Sequence, residues 1–194
     1  FATPWQQAKP APAGRMFEFG PVLRNRHAMA YSIAYCVHTW EMNALRGWAV
    51  AFLAWVAMAT EAEHIWIAPA AVAMTMSLTG TGASLFGNEL SIRLGRQRLV
   101  RYAMSLSILA AATIGFLGPA SYSIAVAFVL GYGMIIWLDS SSLTAGAAGA
   151  ALPGRRGATL AIHSMLGYAG GFVGPLAIGV TLDMAGGMSH TGWG

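Results

Sequence analysis

Charge is scarce in this chain. Of its 194 residues, 9% are Asp, Glu, Lys or Arg, against about 25% in an ordinary soluble domain. So few charges suit a surface solvated by lipid better than one solvated by water. Cysteine is scarcer: Cys36 stands alone, so no intrachain disulfide can staple the fold and cysteine usage says nothing of the redox compartment. The sequence has no nucleophile elbow, phosphate-binding loop or haem-attachment motif. His38-x-x-Glu41 supplies one helical turn of metal-ligating groups, and no second such turn accompanies it. These gaps lead to the expectation of a non-enzyme with neither cofactor nor metal. No segment alternates polar and apolar residues as the strands of a membrane barrel do, so the expected fold is all-α.

What the chain does have is long apolar runs, 56% of its residues being hydrophobic. A helix crosses the hydrocarbon core in about 20 residues. Five runs meet that length, at about 28–59, 65–86, 99–117, 122–151 and 157–184. The Pro- and Ala-rich segment 1–27 reads as a linker, with the expectation that the chain is a piece of a longer one, and 185–194 as a Gly-rich tail. Of the eleven Lys and Arg, all but Arg46 fall in three clusters outside these runs or at their edges: Lys9, Arg15, Arg24 and Arg26; Arg93, Arg96, Arg98 and Arg101; Arg155 and Arg156. Two crossings separate each cluster from the next, so all three can face one compartment. Basic loops stay in the cytoplasm, which places the N-terminus inside, the acidic loop with Glu61 and Glu63 outside, and the tail outside. The formal net charge of +4 is therefore read as an orientation signal and a contact to anionic lipid rather than a nucleic-acid footprint. Trp48, Trp55, Trp66, Tyr102 and Tyr122 lie near the proposed boundaries, where aromatic belts form. Small residues recur at helix-packing spacing, with Gly167 and Gly171, and Gly170 and Gly174, four apart. Pro175 should bend the last run.

Two segments carry a resemblance. Gly87-Asn88-Glu89-Leu90-Ser91-Ile92-Arg93-Leu94-Gly95-Arg96-Gln97-Arg98 resembles the inner-loop signature of the major facilitator superfamily, with Ile92 where that pattern has an acid. Pro153-Gly154-Arg155-Arg156-Gly157, followed by Gly170-Gly171-Phe172-Val173-Gly174-Pro175, resembles the Pro-x-x-Arg-Gly entry and Gly-Pro bend of the same superfamily. The resemblance implies the central loop and seventh to eleventh helices of a twelve-helix transporter, hence five helices of a six-helix half bundle, with the N-terminal half and the twelfth helix elsewhere. It implies an inner gate loop built from Glu89, Arg93, Gly95, Arg96, Arg98 and Arg156. The implied setting is a bacterial inner (plasma) membrane.

Ionisable residues at bilayer depth cost roughly 2.5–3.5 kcal/mol even on the lenient scale and are functional candidates by default. Counting about 1.5 Å per residue from Ala28, His38 lies about 15 Å deep, Glu41 about 20 Å and Arg46 about 27 Å. Tyr31, Tyr35, His38 and Arg46 share one helical stripe, with Glu41 at its flank. Asp139 lies about 18 Å from the inner end of its run, at the head of a polar stretch that includes Ser142 and Thr144. The depth of Asp139 matches those of His38 and Glu41, which places the two helices on one central cavity, with Arg46, Tyr35, Trp40 and Ser142 as further candidates for a solute or ion pathway. Blander roles compete: Arg46 snorkelling to headgroups, His38 as a packing histidine, Tyr35 and Trp40 as core, His163 as either gate or solvated, and Asp183 as interfacial. The expected activity is secondary transport of a small solute by alternating access with proton coupling, either efflux of drug-like compounds or uptake of a small anion. The alternative is a non-transporting helical membrane scaffold or assembly subunit.

Overall fold

The computed structural model describes residues 19–62 and 65–194; the expectations for Lys9, Arg15, Glu63 and most of the linker lie outside these. Every regular element among the described residues is helical. A short turn of helix, α1 (Gly20–Leu23), leads into the 34-residue α2 (Arg26–Ala59). Asn25 starts α2: its side-chain oxygen accepts the Ala28 amide at 3.3 Å, satisfying one of the otherwise unpaired first-turn donors. Proline opens α3 (Pro69–Leu94), where its missing N–H costs nothing. Gly95, at φ +86°, ends α3 and lets α4 (Arg96–Leu117) leave in a new direction with no further linker. A 3-10 turn over Gly118–Ala120 follows, and the Ser121 hydroxyl caps α5 (Tyr122–Trp137) by accepting the Ile124 amide at 3.2 Å. Leu138 and Asp139 interrupt the helix before α6 (Ser140–Gly149). α7 (Arg156–Met184) runs unbroken through Pro175, and α8 (His190–Trp193) closes the chain.

Four stretches are long and apolar enough to cross a membrane: α2, α4 with the turn after it, α5 with α6, and α7. α3 has the length but not the composition. Its Thr75, Ser77, Thr79 and Thr81 hydroxyls donate to carbonyls four residues back, which keeps them satisfied on the helix surface while lowering its hydropathy. Large apolar side chains point outward along the bundle, among them Leu78 (76% exposed), Phe116 and Phe172. Only 17% of the most apolar window of α4 is buried. An apolar exterior of this extent suits hydrocarbon and fits a membrane protein.

Inside, α2 and α7 make the most extensive helix contact. Gly170 and Gly174 permit it, because a Cβ on either would strike the main-chain carbonyl of Cys36 or Trp40. The Thr39 hydroxyl donates to the Gly167 carbonyl at 2.7 Å, and the Trp48 indole N–H to the Pro175 carbonyl at 2.9 Å. Across the bundle, Gly87 of α3 seats against the Leu138 carbonyl at the interruption between α5 and α6. Leu53, Val56, Val72, Met76, Val126 and Val129 join α2, α3 and α5 in one apolar core.

The two ends differ. At one, the Asn25 side-chain amide donates to the Ala150 carbonyl at 2.7 Å, and Arg96 lies beside Gly149. This gathers three basic segments, around Arg24–Arg26, Arg93–Arg98 and Arg155–Arg156, at one end of the bundle. At the other, the Tyr122 hydroxyl donates to the Ile67 carbonyl at 2.6 Å and the Trp66 indole to the Ser123 hydroxyl at 3.2 Å. The Gly-rich tail folds back there: Trp193 packs edge-on to Phe52 with ring centroids 5.1 Å apart, and His190 stands 5.0 Å from Trp55.

Candidate functional site

Buried polar side chains from five helices meet midway along the bundle. His38 of α2 and Asp139, at the head of α6, are both almost fully buried, with Nδ1 and Oδ1 2.9 Å apart. Asp is a favoured helix cap, yet its carboxylate makes no cap bond to α6 and turns to His38 instead. The approach has the distance of an ion pair without the alignment of a hydrogen bond. Asp139 Oδ1 and His38 Nε2 both stay buried without a hydrogen-bond partner, although the positive end of α6 favours the carboxylate where it stands.

One turn further along α2, Glu41 is gripped from two other helices. The Tyr132 hydroxyl of α5 donates to Glu41 Oε1 at 2.6 Å, and the Ser107 hydroxyl of α4 donates to the same oxygen. Hydrogen bonds to a carboxylate are worth roughly twice neutral ones, so the hydroxyls offset part of the cost of holding an acid among apolar helices. One turn the other way, Tyr35 stacks on His163 of α7, with centroids 4.1 Å apart, and on His38 at 5.7 Å. His163 Nε2 lies 3.2 Å from the Thr144 hydroxyl. Ser142 is fully buried, its hydroxyl unpartnered.

Two cavities adjoin Glu41. The larger, about 460 Å³, lies towards the aromatic end between α2, α4, α5 and α7, with Trp40, Trp48 and Trp193 in its wall. The smaller, about 10 Å³, is lined by His38, Glu41, Ser107 and Asp139 with Ala103 and Ile136. A third, of about 370 Å³, runs between α2 and α7 past Tyr35, Asn43 and Tyr168.

The structure thus brings together His38, Glu41, Asp139 and Tyr35, with Trp40 at the wall of the large cavity, while Ser142 is buried on α6 without a hydrogen-bond partner. Arg46 is separate: its side chain is exposed and lines neither cavity that Glu41 reaches. Along the stripe drawn from sequence, Tyr31 lies against Gly146, Tyr35 over Gly167, and Arg46 is exposed. Asp183 is exposed. In the basic loop, Arg93 and Glu89 form an i,i+4 pair at 3.0 Å in the open. Arg98 and Arg156 are exposed, and Arg96 holds its Nε buried without a hydrogen-bond partner. Gly167, Gly170, Gly171 and Gly174 all face α2. Sequence reasoning missed Tyr132 and Ser107, the two groups that fix Glu41. The available signal was faint: a serine in the middle of α4 and a tyrosine flanked by two glycines on α5. No group of three or more His, Cys, Asp or Glu among the described residues is placed to hold a metal ion.

Comparison with known proteins finds no family model, no curated protein and no solved structure that matches this chain.

Proposed function

We propose that this chain is the C-terminal portion of a secondary active transporter of the major facilitator type, moving a small solute by alternating access with proton coupling. α2, α3, α4, α5 with α6, and α7 are its five spans, and the basic end faces the cytoplasm of a bacterial inner membrane. The solute, an exported drug-like compound or an imported small anion, occupies the large cavity, whose other wall belongs to the N-terminal half of the transporter. The observation that carries this reading is the position of Glu41. A carboxylate is fixed by Tyr132 and Ser107 at the boundary between a 460 Å³ cavity and the buried polar centre of an otherwise apolar bundle. Such a group is expensive at bilayer depth and marks an ion or solute path. The convergence of the basic segments at one end supports the orientation. Trp40 and Trp48 in the cavity wall suit an apolar or aromatic solute face.

The test is solute flux in vesicles carrying the full-length transporter under an imposed pH gradient. Glu41→Gln and Asp139→Asn should each abolish gradient-driven flux while exchange without a gradient survives. Wild-type gradient-driven flux in both variants would remove the proton role, and absence of flux for every solute in a panel of antibiotics, sugars and small anions would remove transport.

A further inference from the structure

The small cavity between Glu41 and Asp139 has room for about one water molecule. About 10 Å³ of space for the centre of a water-sized sphere is close to the minimum that one water needs, and a buried water also needs two to four polar partners. Four polar side chains line this space: His38 and Glu41 from α2, Ser107 from α4, and Asp139 from the head of α6. Two of them carry buried atoms without a hydrogen-bond partner, His38 Nε2 and Asp139 Oδ1. Glu41 is the one acid on both this cavity and the large open one.

We propose that one water in this cavity links Glu41 to the His38–Asp139 pair and carries protons between the open cavity and the buried pair. The inference rests on the proposed carrier reading for its purpose but not for its chemistry. Protonated Glu41 gives its proton to the water, and the same water gives one of its own to the Asp139 carboxylate. Glu41 is left as the carboxylate and Asp139 as the acid, and the water is regenerated. No bond other than O–H is made or broken, and no electron is transferred. His38, with Nδ1 2.9 Å from Asp139 Oδ1, lines the same cavity and exchanges its own ring proton through that water. Tyr132 on α5 and Ser107 on α4 orient the Glu41 end by donating to Oε1. On the far side stands His163 of α7, separated from His38 by the stacked Tyr35 ring and tied to Thr144. A tyrosine ring face is a poor proton conductor, so exchange at His38 enters from the Glu41 side.

The experiment is a jump into deuterated buffer on the whole chain in lipid nanodiscs, with ¹⁵N-labelled histidine read by NMR and the His38 ring signal assigned by its loss in His38→Gln. Glu41→Gln keeps the hydrogen bonds but cannot pass a proton, and should slow exchange of the His38 ring N–H at least about tenfold, the scale of a positioned acid–base group. Ala103→Val fills the small cavity without touching any ionisable group and should slow it similarly. His163→Gln should leave the rate unchanged. Wild-type exchange in both Glu41→Gln and Ala103→Val, or slowing by His163→Gln instead, overturns the relay. Flux through the full-length transporter is scored separately: Glu41-gated exchange without any solute flux refutes the carrier reading and leaves the relay standing.

Discussion

A methyl group added at Gly170 or Gly174 should loosen the bundle, whereas the same methyl at Gly131 should tighten it. On α7, a Cβ at Gly170 points at the Cys36 carbonyl and one at Gly174 at the Trp40 carbonyl. Both obstacles are backbone, so no rotamer change relieves them and α2 and α7 must part. Overpacking of this kind costs about 1–3 kcal/mol. Parting also stretches the Thr39–Gly167 and Trp48–Pro175 bonds, each worth about 0.6 kcal/mol between membrane helices and at most about 1.7. Against this, Ala is favoured over Gly in a helix interior by about 0.5–1 kcal/mol. The balance is a loss of about 1–3 kcal/mol for Gly170→Ala or Gly174→Ala. At Gly131 on α5 nothing lies within 4 Å of the added carbon, so only the propensity gain of about 0.5–1 kcal/mol remains. Equilibrium unfolding in mixed micelles, followed by tryptophan fluorescence as the denaturing detergent fraction rises, measures all three. Equal signs at the seam and at Gly131 would refute the argument, because they would mean that the carbonyls of α2 are not in the way.

Asp139→Leu strands His38 in the interior and should cost about 3–5 kcal/mol, while the double variant with His38→Leu should recover most of that; failure of the second change to compensate in the same unfolding assay would show that the two side chains are not a coupled pair. Tyr132→Phe leaves Glu41 with Ser107 alone and should cost about 1.5–3 kcal/mol, the range for a hydrogen bond to a charge, and a loss under about 0.5 kcal/mol would place Glu41 in water rather than on the tyrosine. Trp193→Ala removes the ring held against Phe52, Trp48 and Trp55. Amide hydrogen exchange across residues 185–194 should then accelerate, and an unchanged rate would mean that backbone contacts alone, such as that of Gly115 with the Trp193 carbonyl, hold the tail.

What could be read from the chain without coordinates divides along a physical line. Rise along a helix is constant, so counting residues ranks ionisable groups by depth; that count set both His38 and Glu41 level with Asp139, and His38 meets it. Azimuth is not constant in the same sense, because it acquires meaning only once neighbouring helices have chosen their faces. Arg46 shared a stripe with His38 on paper and is exposed in the bundle, while His38 is buried. The same limit hid Tyr132 and Ser107. A serine in an apolar helix can satisfy itself on its own backbone, as Thr75, Ser77 and Thr79 do on α3, so its presence alone does not announce a partner sixty-odd residues away. The interruption at Leu138–Asp139 was equally silent, for no proline or glycine marks it. Both residues make tertiary contacts. Gly87 of α3 receives the Leu138 carbonyl, and His38 of α2 receives the Asp139 carboxylate. α3 and α2 thus each meet one of the two residues between α5 and α6.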